Sequence, residues 1–182
     1  MDCFSCGVTG SIESQPVRER IWWDGRWRVA HAIRCALPGW LVVVPARHVL
    51  SLADLTPDEA VALGPLLAAA SRAVVEVTGC AKVYLALFAE LEEFRHLHIH
   101  LVPRHADLAD DLRGTRIFDY QKRPESEWVT TAEMDRIGGL LAGSLAGRGR
   151  GPTYTNELPS RSASPSRKRT VTAPARVQPL RS

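Results

Sequence analysis

Between Arg95 and Arg104 the chain alternates by twos: His96, His98 and His100 fall on one face of an extended strand, and Leu97, Ile99 and Leu101 on the other. Shorter extended runs precede it. Ile21 to Trp23 and Trp27 to Ile33 flank the turn dipeptide Asp24-Gly25 and read as a hairpin, with Trp27, Val29 and His31 on one face. Pro38-Gly39 turns the chain into Trp40 to Val44, an apolar run short enough to be a buried strand, and Lys82 to Ala89 alternates as another. A helical period appears in two places. Thr56-Pro57-Asp58-Glu59 is a capping box with proline at the first helical position, and Leu63, Leu66, Leu67, Ala70, Val74 and Val77 recur at threes and fours up to Gly79. Thr130-x-x-Glu133 opens a second, weaker helix through Met134, Ile137, Leu140 and Leu141, interrupted by Gly138-Gly139. Residues 7–19 and 105–120 show no firm period and read as irregular. The pattern predicts an α+β fold: an antiparallel sheet of about five strands, one long helix and one shorter helix.

Composition divides the chain. From Gly143 onward Gly, Pro, Ser, Thr and Arg dominate, so residues 1–142 read as a folded domain and 143–182 as a basic disordered tail. Eight basic side chains and one acid give that tail a net charge of +7 and leave the domain at −4. The tail's arginines offer counterion release to nucleic acid, but beyond Tyr154 no aromatic residue interleaves them, and that partner is not favoured. No apolar run reaches the roughly eighteen residues of a membrane span, the N-terminus lacks a signal-peptide pattern, and a cytoplasmic location without membrane association is expected. Of the four cysteines, Cys35 and Cys80 read as small buried side chains. Cys3 and Cys6, spaced Cys-x-x-Cys, suit either a shared metal ion or a redox pair.

The histidine strand carries the candidate chemistry. Neighbours two apart lie roughly 6.6 Å from each other, so His98 stands between two imidazoles able to set its tautomer. Three imidazoles on one face also suit a metal. A largely neutral imidazole attacks phosphorus without a strong base and leaves readily once the phosphorus–nitrogen bond is protonated, which fits two-step transfer through a covalent intermediate. Protonated His100 and backbone N–H groups are the local donors for the charge that develops at phosphorus.

His96-Leu-His98-Ile-His100-Leu-Val-Pro-Arg104 resembles the signature of the histidine-triad (HIT) superfamily of nucleotide hydrolases and transferases. Gly39-Trp-Leu-Val-Val-Val-Pro-Ala-Arg-His48, followed by Ser51 to Glu59, is similar to that family's strand, turn and capped helix. The resemblance covers Cys3 to about Arg104. It implies a HIT-like fold and cleavage of a nucleoside phosphoramidate or phosphoanhydride at the α-phosphate, with His98 as nucleophile and His100 on the phosphate or leaving group. It also implies the Hint-like branch, in which an N-terminal Cys-x-x-Cys binds a structural zinc. Carried over, the ligands are Cys3, Cys6, His48 and His96, and the family commonly forms homodimers. The chain departs from Hint-like relatives in four places: Trp40 stands for a histidine, Ala32 for a ribose-binding aspartate, Leu85 for an asparagine, and Glu92 and Glu93 for glutamine and serine. A carboxylate about 4 Å from a phosphate charge costs up to about 4 kcal/mol at an effective dielectric near 20. A catalytically weak HIT-fold nucleotide-binding protein with a remodelled pocket is the alternative. Arg104 and His31 complete the candidate set as substrate contacts.

Overall fold

Five short strands pair antiparallel throughout, β1 (Trp22–Trp23), β2 (Trp27–His31), β3 (Leu41–Pro45), β4 (Lys82–Ala86) and β5 (Ile99–Arg104), in the order β1-β2-β3-β5-β4. The coordinates, a computed structural model, describe residues 3–147. Helices α1 (Phe4–Gly10), α2 (Pro57–Thr78) and α3 (Thr131–Ala146) complete the α+β architecture expected from the pattern.

The register places Leu41 opposite Leu101 and Val42 opposite His100, so the alternation separates two chemically different faces. On one, Trp27, Val29, Val43, Ile99 and Leu101 form a continuous core with Leu66, Ala70 and Val74 of α2 and Ile137 and Leu141 of α3. On the other, Val102 and Trp40 pack with Ile117 from a run of tight turns, Gly114–Gln121. Every residue of β2 is buried, because the sheet is covered on both sides.

Helix α2 is closed at both ends as its sequence demands. Thr56 Oγ1 accepts from Glu59 N at 3.3 Å, Glu59 Oε2 accepts from Thr56 N at 2.8 Å, and Gly79 stops the helix at φ 66°. Glu59 also accepts from Arg47 Nε at 3.1 Å and Arg47 Nη2 at 2.7 Å, which ties the exit of β3 to the helix start. That guanidinium, more than any other influence, holds the Glu59 carboxyl down at about 2. A carboxyl held below its ordinary value contributes stability above that value and loses it as pH falls toward 2. Glu59→Gln is therefore expected to cost on the order of 1 to 2 kcal/mol at pH 7. Thermal melts of wild type and variant should converge as pH drops from about 4.5; a gap that stays constant would assign Glu59 a neutral packing role.

Several expectations are corrected. Residues 7–19 are not irregular: α1 reaches Gly10, and turns at Ile12–Ser14 and Val17–Glu19 follow. The segment is too short to show a period, and α1 has no side-chain cap, so it depends on tertiary contacts. The stretch 105–120 likewise coils into tight turns that bury Ile117. β4 ends at Ala86 rather than Ala89, and Ala89 takes a left-handed turn at φ 53°. β5 begins at Ile99; His96 and His98 precede the ladder, where Leu97 N donates instead to Val49 O at 2.8 Å. Helix α3 continues to Ala146, so the boundary drawn after residue 142 falls inside it; residues 148–182, most of the expected tail, lie outside the described residues. By length and composition α2 is apolar enough to cross a membrane, although Arg72 and Glu76 break its apolar run. It lays Leu66, Ala70, Ala73 and Val74 into the core against the sheet.

Candidate functional site

The N-terminal helix, the end of β3 and the approach to β5 meet at four side chains. Cys3, Cys6, His48 and His96 place their donor atoms within 4.8 Å of one another, a group able to hold a metal ion. His96 Nε2–H donates to Pro45 O at 2.9 Å, so Nδ1 carries the lone pair, and it faces Cys3 Sγ at 3.4 Å and Cys6 Sγ at 3.5 Å. His48 Nδ1 lies 3.3 Å from Cys6 Sγ. A tetrahedron with metal–sulfur bonds of about 2.3 Å and metal–nitrogen bonds of about 2.0 Å has sulfur–nitrogen edges of about 3.5 Å, which these separations match. Burial, and Cys3 beside it, push the Cys6 thiol up, the direction that a bound cation reverses. Of the three triad histidines only His96 belongs to this group, which excludes a metal held by all three.

His98 and His100, but not His96, line a cavity of about 450 Å³ on the sheet face away from α2. His98 Nδ1–H donates to His96 O at 2.8 Å, so Nε2 is the unprotonated nitrogen of the neutral ring. The His98 tautomer is thus set by the backbone of His96 rather than by a neighbouring imidazole. His100 is fixed differently. Trp40 Nε1–H donates to His100 Nδ1 at 3.0 Å, and an indole can only donate, so His100 Nδ1 is an acceptor and Nε2 carries its proton. The ring sits edge-on to His98, with centroids 4.9 Å apart, and to Phe118 at 5.2 Å. Burial, and then His98, pull the His100 imidazole down to about 3. The expectation of a protonated His100 is therefore corrected: it is neutral at pH 7 and supplies one N–H, from Nε2.

Trp40→Phe should release that lock. Turnover is expected to fall on the order of tenfold, with KM little changed, as both tautomers of His100 become populated. Nitrogen NMR of the histidine ring would show the mixture directly; a single unchanged tautomer would assign the indole a packing role alone.

A model of the HIT domain matches residues 17–107, half of the chain. The chain belongs to the HIT family. No curated protein matches it. Among solved structures it is similar to a zinc-bound histidine triad family protein from Mycobacterium smegmatis, at 24% identity and a TM-score of 0.58 over 81% of this chain and 96% of that one. A hypothetical histidine triad nucleotide-binding protein from Sulfolobus tokodaii matches at 14% identity and 0.61, covering 80% and 93%. A uridylyltransferase mutant matches at 18% and 0.56, covering 81% of this chain and 48% of that enzyme. At these identities the likeness establishes the HIT fold.

Within the HIT fold the remaining candidates separate. His31 is buried with both nitrogens engaged: Nδ1–H donates to Ala32 O at 2.7 Å and Nε2 accepts from Gly39 N at 3.0 Å. Burial pulls it below its ordinary value, so it is a neutral brace across the Gly39 turn with no nitrogen left for substrate. Arg104 shares the His100 face but stands four residues further along β5, at the Lys82 pairing and away from the cavity. His31 does line the cavity, with both nitrogens engaged elsewhere, whereas Arg104 does not line it. Glu92 and Glu93 are exposed and do not line the cavity; Glu93 instead accepts from Arg34 Nη1 at 3.1 Å. Arg34 itself stacks 5.6 Å over Phe94 and holds a left-handed φ of 53°. The like-charge cost anticipated for these glutamates is avoided by geometry. Sequence inspection missed Arg28, Glu19, Arg34 and Phe118 as cavity residues. The one legible signal was Arg28, a charge set between Trp27 and Val29 in a buried strand.

Proposed function

We propose that this HIT protein is a zinc-containing, Hint-like nucleotide hydrolase or transferase that cleaves a phosphoramidate or phosphoanhydride at the α-phosphate through a nucleotidyl-histidine intermediate. The observation that carries the reading is His98, half-buried in the cavity wall with Nδ1 committed to a carbonyl and Nε2 left as the nucleophile. Its lone pair forms the phosphorus–nitrogen bond while the leaving group departs with the old bonding pair. Water then attacks phosphorus and the pair returns to Nε2. His100 Nε2–H donates to a non-bridging oxygen as its charge grows, and because the ring is already neutral and locked it needs no reorganisation. The Cys₂His₂ donor set, closed with no open position, suits zinc, and an ion held by Cys3, Cys6, His48 and His96 would be structural, stapling α1 to the segment bearing His98.

Ala32 on the cavity wall, where Hint-like relatives place a ribose-binding aspartate, favours a second reading, a nucleotide-binding protein of weak activity. Incubation with a panel of adenosine and guanosine phosphoramidates and dinucleoside polyphosphates separates the two. Turnover supports the enzyme, and saturable binding without turnover supports the alternative. We further infer a cytoplasmic homodimer: four free thiols suit a reducing compartment, and Val61 and Val75 of α2 stand exposed at 66% and 44%. Light scattering tests the assembly.

A further inference from the structure

The cavity wall carries a cation that is accessible, loosely held and unused by the mechanism above. Arg28 and Glu19 line the wall too, but they are buried and paired with each other, and His100 is neutral. The exposed charges on the wall are Arg34 and Glu90, of opposite sign, so an anion entering the cavity is drawn to Arg34 and turned away from Glu90. Arg34 has one polar partner among the described residues. Its Nη1 donates to Glu93 Oε1 at 3.1 Å, the two side chains are 54% and 59% exposed, and Glu93 stands outside the cavity lining. An exposed pair of this kind contributes little and yields to a stronger anion. Nε and Nη2 donate to no protein group among the described residues and are not buried, so the other edge of the planar fork faces solvent. The guanidinium is nonetheless positioned. Its Cζ lies 5.6 Å over the ring of Phe94, which is braced edge-on by Phe4 at 5.7 Å, and both rings line the cavity. The backbone beneath it is strained: Arg34 and Ala89, each at φ 53°, are the non-glycine residues in the left-handed region among those described, and both line this cavity. A side chain is disfavoured there, and such strain gathers at binding sites.

We infer that Arg34 is a specificity-determining residue that binds a second phosphate of the substrate, other than the one attacked by His98, and that it gives up Glu93 to do so. A guanidinium fork matches two phosphate oxygens at once, which the single bond to Glu93 does not. At about 450 Å³ the cavity lies toward the small end of small-molecule sites, so a nucleotide with one phosphate at His98 fills it and brings any further phosphate to the rim, where Arg34 stands. That phosphate is either the next one along a polyphosphate chain or one carried on the ribose. The inference rests on the proposed nucleotide site.

The test is calorimetric binding of AMP, the non-hydrolysable α,β-methylene-ADP and adenosine 3′,5′-bisphosphate, with their guanosine counterparts, to the full chain. AMP sets the baseline for one phosphate. Wild type is expected to bind at least one of the two-phosphate ligands roughly tenfold or more tightly than the monophosphate. A gain with the ADP analogue puts the second phosphate on the chain, and a gain with the bisphosphate puts it on the ribose. R34Q should bind all three alike. E93Q, which frees the guanidinium from its competing carboxylate, should tighten the favoured two-phosphate ligand severalfold and leave AMP unmoved. If Arg34 serves only to brace Phe94, R34Q weakens all three ligands together, and that result overturns the inference. Equal binding of the three by wild type, or a preference that survives in R34Q, also overturns it and leaves the nucleotide site standing. Failure to bind any of them removes the site reading and this inference together.

Discussion

His98→Ala is expected to abolish turnover, with a loss on the order of 10⁴-fold or more, because the proposed covalent route runs through its Nε2. The fold should survive: the ring is half-buried, lies outside the β5 ladder, and among the described residues its one hydrogen bond is to the His96 carbonyl. Mass spectrometry of quenched wild type, incubated with an accepted substrate, should show a nucleotidyl adduct on His98. His100→Ala should instead keep the adduct and slow its formation by roughly 10² to 10³, the size of a lost oxyanion donor. The contrast matters because the two rings touch edge to edge, and a general collapse of the site would slow both variants equally without an adduct. Turnover retained in His98→Ala would end the nucleotidyl-histidine reading.

Metal removal is expected to have the other large effect. Elemental analysis should find about one zinc per chain, and chelation or Cys3→Ser should cost on the order of 4 kcal/mol, a fall in Tm of roughly 10 °C for a domain of this size. The reason is local. Helix α1 is 7 residues long with no side-chain cap, too short to persist by itself, and Cys3 and Cys6 are its attachment to His48 and His96. Activity should fall as well, because the His96 carbonyl sets the His98 tautomer and His96 is one of the four donors. A metal-free protein that melts at the holo temperature would show that the four side chains pack without an ion.

Local chemistry along the chain determined most of the strands and the capped helices. A period of two and a capping box depend only on neighbours, and the Asp24-Gly25 hairpin and the Thr56 to Gly79 helix stand where those rules put them, while of the triad only His100 falls within the strand. The period of two alone placed three imidazoles on one face, and it was the family resemblance that set His96 with the cysteines and His98 and His100 at the substrate. The tertiary structure supplies the physical separation: the strand begins at Ile99, His96 stands among Cys3, Cys6 and His48, and His98 lines the cavity. The state of His100 was also illegible. Its charge depends on Trp40, sixty residues away, donating an indole N–H to its Nδ1, and on Phe118 helping to close it off from water. The same holds for Arg28 and Glu19, nine residues apart in sequence: neither suggests a paired group until β2 and the turn ending at Glu19 bring them to one wall of the cavity. Protonation and pairing follow from burial and from partners distant in sequence, and those exist only once the sheet has closed.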